Sequence, residues 1–525
     1  MSRIVLFLLL IVPVVGFAQN DLQSDITKFH KFLISLDQKY VDSVETHGLI
    51  EEGMRRMLEE LDPHSIYLDK RAYELASEPL KGKYEGIGIR YQIIDDTLVL
   101  VDVSKKSPAD KVGLEVGDQL IVISGDSISG NTSRMSKMNE LLKGEGMESI
   151  NMIATRKDVF FQKSFDIKKD EVAMISVPAF FMLNSRTGYI KLTRFSSTSL
   201  DEFRKSLDKL KRKKCRNLIL DLRGNGGGYL NVAIKIADEF LEDRKMIVYT
   251  EGLHQPRRET YATSGGRFTD GDLIVLIDQH SASASEILAG AIQDLDRGLL
   301  VGRRSYGKGL VQRTIEFSDG SAMRLTMSRY YTPTGRSIQR PYNHDLKEYK
   351  SDLKERRERG EYFSQDSINV DEAEVYYTPL HRKVYGGGGI IPDVFVPVRE
   401  LSSEASISEI QTRNLIMGFA MRYSRIHYIA IQTKFKNIEK FDEEYVVSAS
   451  DRFLFREFVE RRGIKMSKKE YEANRDLIEG DVKSLIARFS FGYSDHFVVS
   501  SAFDDDIQTA LDQLENGTIN DLGLK

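Results

Sequence analysis

The chain has 525 residues, enough for several domains at roughly 100 to 200 residues each. With 75 Lys+Arg against 79 Asp+Glu its formal charge is -4, which gives no global attraction to a nucleic acid. A single cysteine, Cys215, excludes an intramolecular disulfide and a cysteine metal cluster.

Residues 1–19, MSRIVLFLLLIVPVVGFAQ, combine Arg3, an apolar stretch from Ile4 to Phe17 and a small-residue end at Gly16 and Ala18. This is the layout of a secretory signal cleaved near Ala18, too short and wrongly flanked for a lasting membrane span. No cysteine follows it for a lipid anchor, and no other stretch approaches 18 apolar residues. The expectation is an exported protein of the periplasm or cell envelope, without a stable membrane span.

Residues 20–82 read as helical, with Ile26, Phe29, Phe32 and Leu33 and then Leu49, Met54, Met57 and Leu58 at helical spacing. The segment Leu61-Asp62-Pro63-His64-Ser65-Ile66-Tyr67-Leu68 ends that pattern and reads as a turn, with His64 a structural hydrogen-bonder. Residues 83–170 read as a small, mostly β-domain. Leu98 to Val101 has strand character, Ser107-Pro108-Ala109 opens a brief helix closed by Gly113, and Gln119 to Ile123 forms a strand before a turn at Gly125-Asp126. Gly86-Ile87-Gly88 lacks the remaining glycine and the βαβ surroundings of a dinucleotide fingerprint.

Residues 171–397 return to α/β character. Gly188 to Leu192 is a strand, and Ser199 with Glu202 has capping-box spacing ahead of the apolar face Leu200, Phe203, Leu207 and Leu210. The run Lys211 to Lys214 then places positive charge at that helix's C-terminal end, and Cys215 reads as buried filler before the strand Asn217 to Leu222. That strand opens into Arg223-Gly224-Asn225-Gly226-Gly227-Gly228, where glycines let backbone amides approach a ligand that side chains would crowd out.

The strand Leu273 to Ile277 leads through Ser281-Ala282-Ser283-Ala284-Ser285-Glu286 into a helix marked by Ile287, Leu288, Ala291, Ile292 and Leu295. A serine at such a strand-to-helix turn is held clear of the sheet, with N–H groups at the helix start available to a developing oxyanion. Residue type alone leaves Ser281, Ser283 and Ser285 open as nucleophiles. The strand Leu299 to Val301 leads to Tyr306-Gly307-Lys308-Gly309 and Gln312; a desolvated amine there can take a serine proton. Neither glycine run is a phosphate loop, since Ser or Thr does not follow the lysine. Asp294 and Asp296 read as solvated, and His280, three residues before Ser283, is the competing base.

These motifs resemble those of the C-terminal processing peptidases, tail-specific serine peptidases with a Ser-Lys dyad. The resemblance runs over SASASE, YGKG with its Gln, DLRGNGGG, LDPHSxYL and the GGI.PD element at Gly388 to Asp393. It implies a crotonase-like α/β peptidase core with an inserted PDZ-like domain, a multidomain α+β chain overall. By motif, Ser283 is the implied nucleophile, Lys308 the base and Gln312 its orienter. Ala284 and the Gly226, Gly227, Gly228 run supply the oxyanion hole, without metal or cofactor. In the PDZ-like domain the implied tail-binding loop is Gly86, Ile87, Gly88 and Ile89, with Val101 lining a pocket for an apolar last side chain. Implied substrates are unfolded or tail-exposed proteins cleaved by an endopeptidase through an acyl-enzyme.

Two other readings are a PDZ-bearing scaffold on a dead peptidase fold and a small-molecule esterase or amidase. The latter requires a closed pocket, whereas a peptidase requires an open strand edge beside the serine. The polar segment of about residues 343–371 reads as a surface helix or mobile loop added to the core. Residues 398–525 read as a helical accessory domain for an adaptor or self-association, with Ser467 and Glu470 capping one helix.

Overall fold

The computed structural model describes residues 17–94, 97–128, 142, 148–156 and 161–524. Most of the expected secretory leader, residues 1–16, lies outside this set, and a helix starts at Phe17 and runs to Lys39. No helix among the described residues is long and apolar enough to cross a membrane.

The central sheet has six strands in the order Ala179–Met182, Thr187–Lys191, Asn217–Asp221, Asp272–Ile277, Leu299–Gly302 and Val394–Phe395. The first pair is antiparallel and the rest are parallel. The middle strands are almost continuously apolar because both their faces are covered. On one face Leu218, Leu220, Leu273, Val275, Ile277 and Leu300 pack with residues of the helices Ser199–Arg212, Leu230–Asp238 and Ala284–Asp294. On the other, Ile219, Ile274, Leu276, Leu299 and Val301 meet Ile507, Ala510, Ile519 and Leu524 from the end of the chain. The helices Asp505–Glu515 and Thr518–Asp521 therefore complete the core as its second layer, rather than belonging wholly to an appended domain.

A second, antiparallel sheet joins Ile66–Leu68, Ala322–Tyr331, Met246–Gly252 and Gln255–Tyr261, with Leu310–Glu316 also paired to Ala322–Tyr331. The segment expected to be a turn after Leu61 thus contributes a strand as well. The β-module forms a sheet in the order Ile89–Ile94, Thr97–Val103, Gln119–Ile123, Ser149–Arg156, Phe161–Lys168. Its expected short helix is present as Pro108–Val112, capped by Ser107 and closed by Gly113 at φ 84°. The paired strands Lys83–Gly86 and Asp170–Ala173 pin the module's entry and exit together.

Several local expectations change. Ser199 and Glu202 form no capping box: Thr198 is the N-cap residue, and Glu202 accepts instead from the N–H groups of Ser176 and Val177 at 2.8 and 2.9 Å. Asp294 and Asp296 are buried, not solvated, because arginines distant in sequence reach them, Arg336 to Asp294 at 2.6 Å and Arg382 to Asp296 at 2.8 Å. The polar insertion contains the helix Leu346–Glu358, anchored by buried Tyr349 and Arg356 rather than by an apolar stripe. The Ser467–Glu470 box does form, opening Lys468–Ala473, and the helices from Ala405 to Ser490 share a hydrophobic core of their own.

Candidate active site

Ser283 sits where the strand Asp272–Ile277 has ended and the helix Ala284–Asp294 begins, with φ 55° and ψ -111°. A non-glycine residue in this region is strained and persists only where its surroundings fix it. They do so here: the Ala282 N–H donates to the Asn225 carbonyl at 3.0 Å, and the Ser283 N–H donates to Glu286 Oε2 at 2.8 Å. Ser281 and Ser285 are fully buried, their hydroxyls donating to the carbonyls of Leu222 at 2.9 Å and Asn225 at 2.8 Å. Ser283 alone of the three lines a cleft of about 1640 Å³. His280 is exposed and does not line it.

Lys308 lines the same cleft. Its Nζ donates to Gln312 Oε1 at 3.0 Å, and the Gln312 amide donates in turn to the His64 carbonyl. Burial, reinforced by the Arg324 cation, brings the Lys308 pKa down to about 8. His64 Nε2 meets the Tyr349 hydroxyl at 2.8 Å, and burial lowers its pKa to about 4, so its ring is a neutral structural hydrogen-bonder at pH 7.

The serine turn and the lysine loop are fastened together. Glu286, fully buried, accepts from Ser283 N and Lys308 N on one oxygen and from Gly307 N and Ser305 Oγ on the other. Burial raises its carboxyl above the ordinary value, against the pull of these donors. The Tyr330 hydroxyl lies 3.1 Å from the Ser283 carbonyl and 2.6 Å from that of Lys308. Behind the loop, Ser305 Oγ accepts from Ile390 N at 2.6 Å, and Arg356 of the insertion helix donates to the Ser305 carbonyl at 2.8 Å. Arg340 stacks between Tyr306 and Tyr349 at 4.1 and 3.8 Å. The insertion is thus part of the wall that holds the lysine loop.

Gly226, Gly227, Gly228 and Ala284 all border the cleft. Gly227 donates its N–H to Asn225 Oδ1 at 2.9 Å, so that group is already engaged. Its φ is +105°, and an added Cβ would come within 2.9 Å of both the Ala282 carbonyl oxygen and Ser283 Cβ. Its part is close approach to the serine. Among the described residues, the N–H groups of Gly226, Gly228 and Ala284, which border the cleft, have no hydrogen-bond acceptor.

The expected tail-binding residues separate. Gly86 ends a paired strand, and Gly88 has φ +81° with Ser107 Cβ 2.2 Å from any added Cβ. Ile87 is buried in the module's interior, and Ile89 packs partly against it. Val101 departs from its expected place: with Ile94 and Val99 it faces the opposite side of the sheet, against Met421, Met417 and Phe489 of the C-terminal helices. The alternation of side chains along Thr97–Val103 explains this, since Leu98 and Leu100 take the inner face.

Sequence reading also left functional positions unassigned. Glu286 stood within the serine motif, and its spacing of three from Ser283 is a capping-box signal that would have singled it out. Tyr330 and the His64 carbonyl carry no such local signal. Neither does Asp506, whose carboxylate pairs with Arg223 at 2.7 Å and Arg303 at 2.9 Å. Those arginines stand at the roots of the glycine loop and the lysine loop.

Residues 186–347 match the model of peptidase family S41, and residues 407–492 match a family of unknown function. The chain is 33% identical over 331 residues to the carboxy-terminal processing protease CtpB of Bacillus subtilis (strain 168), covering 62% of this chain and 68% of that one. It is likewise 33% identical over 328 residues to the carboxy-terminal-processing protease of Bartonella bacilliformis, covering 61% of this chain and 74% of that one. Among solved structures, a photosystem II D1 C-terminal processing protease aligns with TM-score 0.38 and 22% identity over 73% of this chain and 95% of that one. The family match and these identities define the class as a serine peptidase, and the serine cluster leading into a helix lies beside the cleft of its mixed α+β scaffold. The chain belongs to the carboxy-terminal processing proteases of peptidase family S41.

Proposed function

We propose that this protein is an endopeptidase in which Ser283 is the nucleophile and Lys308 its general base. The observation that carries this reading is a strained serine and a buried lysine, its pKa brought to about 8, on one cleft. Neutral Lys308 takes the hydroxyl proton as Ser283 Oγ attacks the scissile carbonyl carbon, and Gln312 holds the amine. Gly226, Gly228 and Ala284 donate to the oxyanion. The C–N bond then breaks as Lys308 returns the proton to the leaving amine. Water adds to the ester carbon, giving its proton to Lys308, and collapse frees the new carboxyl terminus and restores the serine.

The strand edge supports a peptide substrate. Among the described residues Leu310–Glu316 is paired only with Ala322–Tyr331, and Leu310 to Thr314 all line the cleft, leaving a side on which substrate backbone can add. This favours a peptidase over a small-molecule esterase and over a silent scaffold. The core is read as crotonase-like and residues 83–170 as PDZ-like. The loop Gly86–Ile89 and the edge strand Ile89–Ile94 would receive an apolar C-terminal tail; the Val101 side chain packs on the other face of the sheet, though the residue borders a surface pocket with Ile89. Residues 1–19 are read as a leader directing export to the periplasm or envelope, and the helical region beyond residue 398 as the place for an adaptor or self-association. The test is cleavage of one unfolded substrate with a free apolar tail, an amidated tail or an acidic tail. Faster cutting of the first is expected, and equal rates would remove tail recognition.

A further inference from the structure

The charged residues lining the catalytic cleft are of one sign. Among the described residues, Lys235, Arg258, Arg313 and Arg324 border it and form no ion pair, and no Asp or Glu lines it. Composition does not explain this, since acidic residues outnumber basic ones 79 to 75. Four elements contribute: Lys235 is exposed on the helix Leu230–Asp238, Arg258 on Gln255–Tyr261 and Arg313 on the open edge strand, and Arg324 is half-buried on Ala322–Tyr331. Arg257 is different, since it pairs with Glu259 at 2.8 Å and stacks over Tyr249 at 3.8 Å.

Arg194 adds a second observation. It adjoins Phe195, which bridges to Gly228 of the glycine loop. Its Nη1 reaches only the Met174 sulfur, at 3.8 Å, and its Nε is buried without a hydrogen-bond partner. The carboxylate of Glu202 acts on this guanidinium, and Arg194 itself borders the cleft. Cations of one sign around a concave site also concentrate oppositely charged ligands there.

We propose that the cleft selects extended protein segments carrying carboxylates beside the scissile bond, through Arg194, Lys235, Arg258, Arg313 and Arg324. This rests on the Ser283–Lys308 reading and adds the substrate's chemical class. The carboxylate source is an acidic side chain or, for a cut close to the end of the chain, the terminal carboxylate.

The test uses the full-length protein and fluorogenic peptides that differ only in having Glu, Gln or Lys flanking the cut, all amidated, with the Gln peptide also made with a free carboxyl terminus. The expected order of kcat/KM is Glu, Gln, Lys, with Glu over Gln by about tenfold at low salt and the gap closing as salt screens it. A faster free-ended Gln peptide assigns a share to the terminal carboxylate at the cleft only if the gain is lost in Lys235→Glu, Arg258→Glu; a gain kept there belongs to the tail-binding module. In the double variant Lys235→Glu, Arg258→Glu the order of the Glu and Lys peptides should reverse, a ratio taken within one preparation. Equal rates for the Glu and Gln peptides, or an unchanged order in that variant, overturn the proposal. Should none of the peptides be cut, cut sites mapped in a mixture of unfolded proteins decide: Asp and Glu enriched around them support it, and their absence refutes it. Loss of Gln-peptide cleavage in Ser283→Ala checks the underlying site separately.

Discussion

The backbone N–H groups of Ser283 and Lys308 donate to the same oxygen, Oε2 of Glu286, at 2.8 and 2.9 Å. One buried carboxylate therefore sets both the Ser283 turn and the Lys308 loop. Glu286→Gln would replace an acceptor oxygen with an amide that faces N–H donors. It should lower kcat by about a hundredfold with KM little changed, the scale at which angstrom misplacement acts. Separate kcat and KM values check this; an unaltered kcat with a reduced melting temperature would make Glu286 purely structural.

The pKa of about 8 at Lys308 has two consequences. In the proposed general-base role the lysine works when neutral, so kcat/KM should rise with pH and level off above about 8. The folded pKa lies below the ordinary 10.5, so the unfolded chain binds the extra proton between those values. Stability then rises with pH across that window, and below about pH 8 the buried charge costs roughly 3 kcal/mol at about 1.4 kcal/mol per unit. Lys308→Met should be inactive yet more stable at pH 7, with the advantage vanishing near pH 10.5. Thermal melts of both proteins across that range decide it.

Gly227→Ala should lose activity through geometry. The new Cβ would meet the Ala282 carbonyl and the serine itself at 2.9 Å, at a φ of +105°. Gly226→Ala, with nothing within 4 Å of its added Cβ, should be milder. A kcat comparison of the two variants tests the distinction.

Asp506 joins the end of the chain to both site loops through Arg223 and Arg303. Its removal leaves two largely buried guanidinium groups short of a partner, a loss of about 3 kcal/mol. Asp506→Ala should show that loss in urea unfolding and a reduced kcat. Deleting residues 505–525 should be worse, because it uncovers Ile219, Ile274, Leu276 and Val301 on the central sheet; a soluble, fully active truncation would contradict this layering.

Local chemistry was legible wherever it was written in neighbouring residues. The capped helix Pro108–Val112, the strand before the glycine run and the serine turn all follow from short-range pattern. What escaped depends on partners far along the chain. Asp294 looked solvated because Arg336 lies 42 residues away, and the insertion looked loose because its anchors are Tyr349 and an arginine, Arg356, held by loop carbonyls. The last helices looked like an appendage because their apolar residues match a sheet face formed some 200 to 300 residues earlier. Val101 shows the period-two limit: the strand was legible, but which of its faces met the module's own interior was settled by the helices packed against the other.

The most direct test of the Ser283–Lys308 assignment is cleavage of an unfolded protein substrate by purified Ser283→Ala and Lys308→Ala, each checked for native circular dichroism. Both should retain the fold and lose turnover by at least about a thousandfold. Full peptidase activity in either folded variant would contradict the assignment.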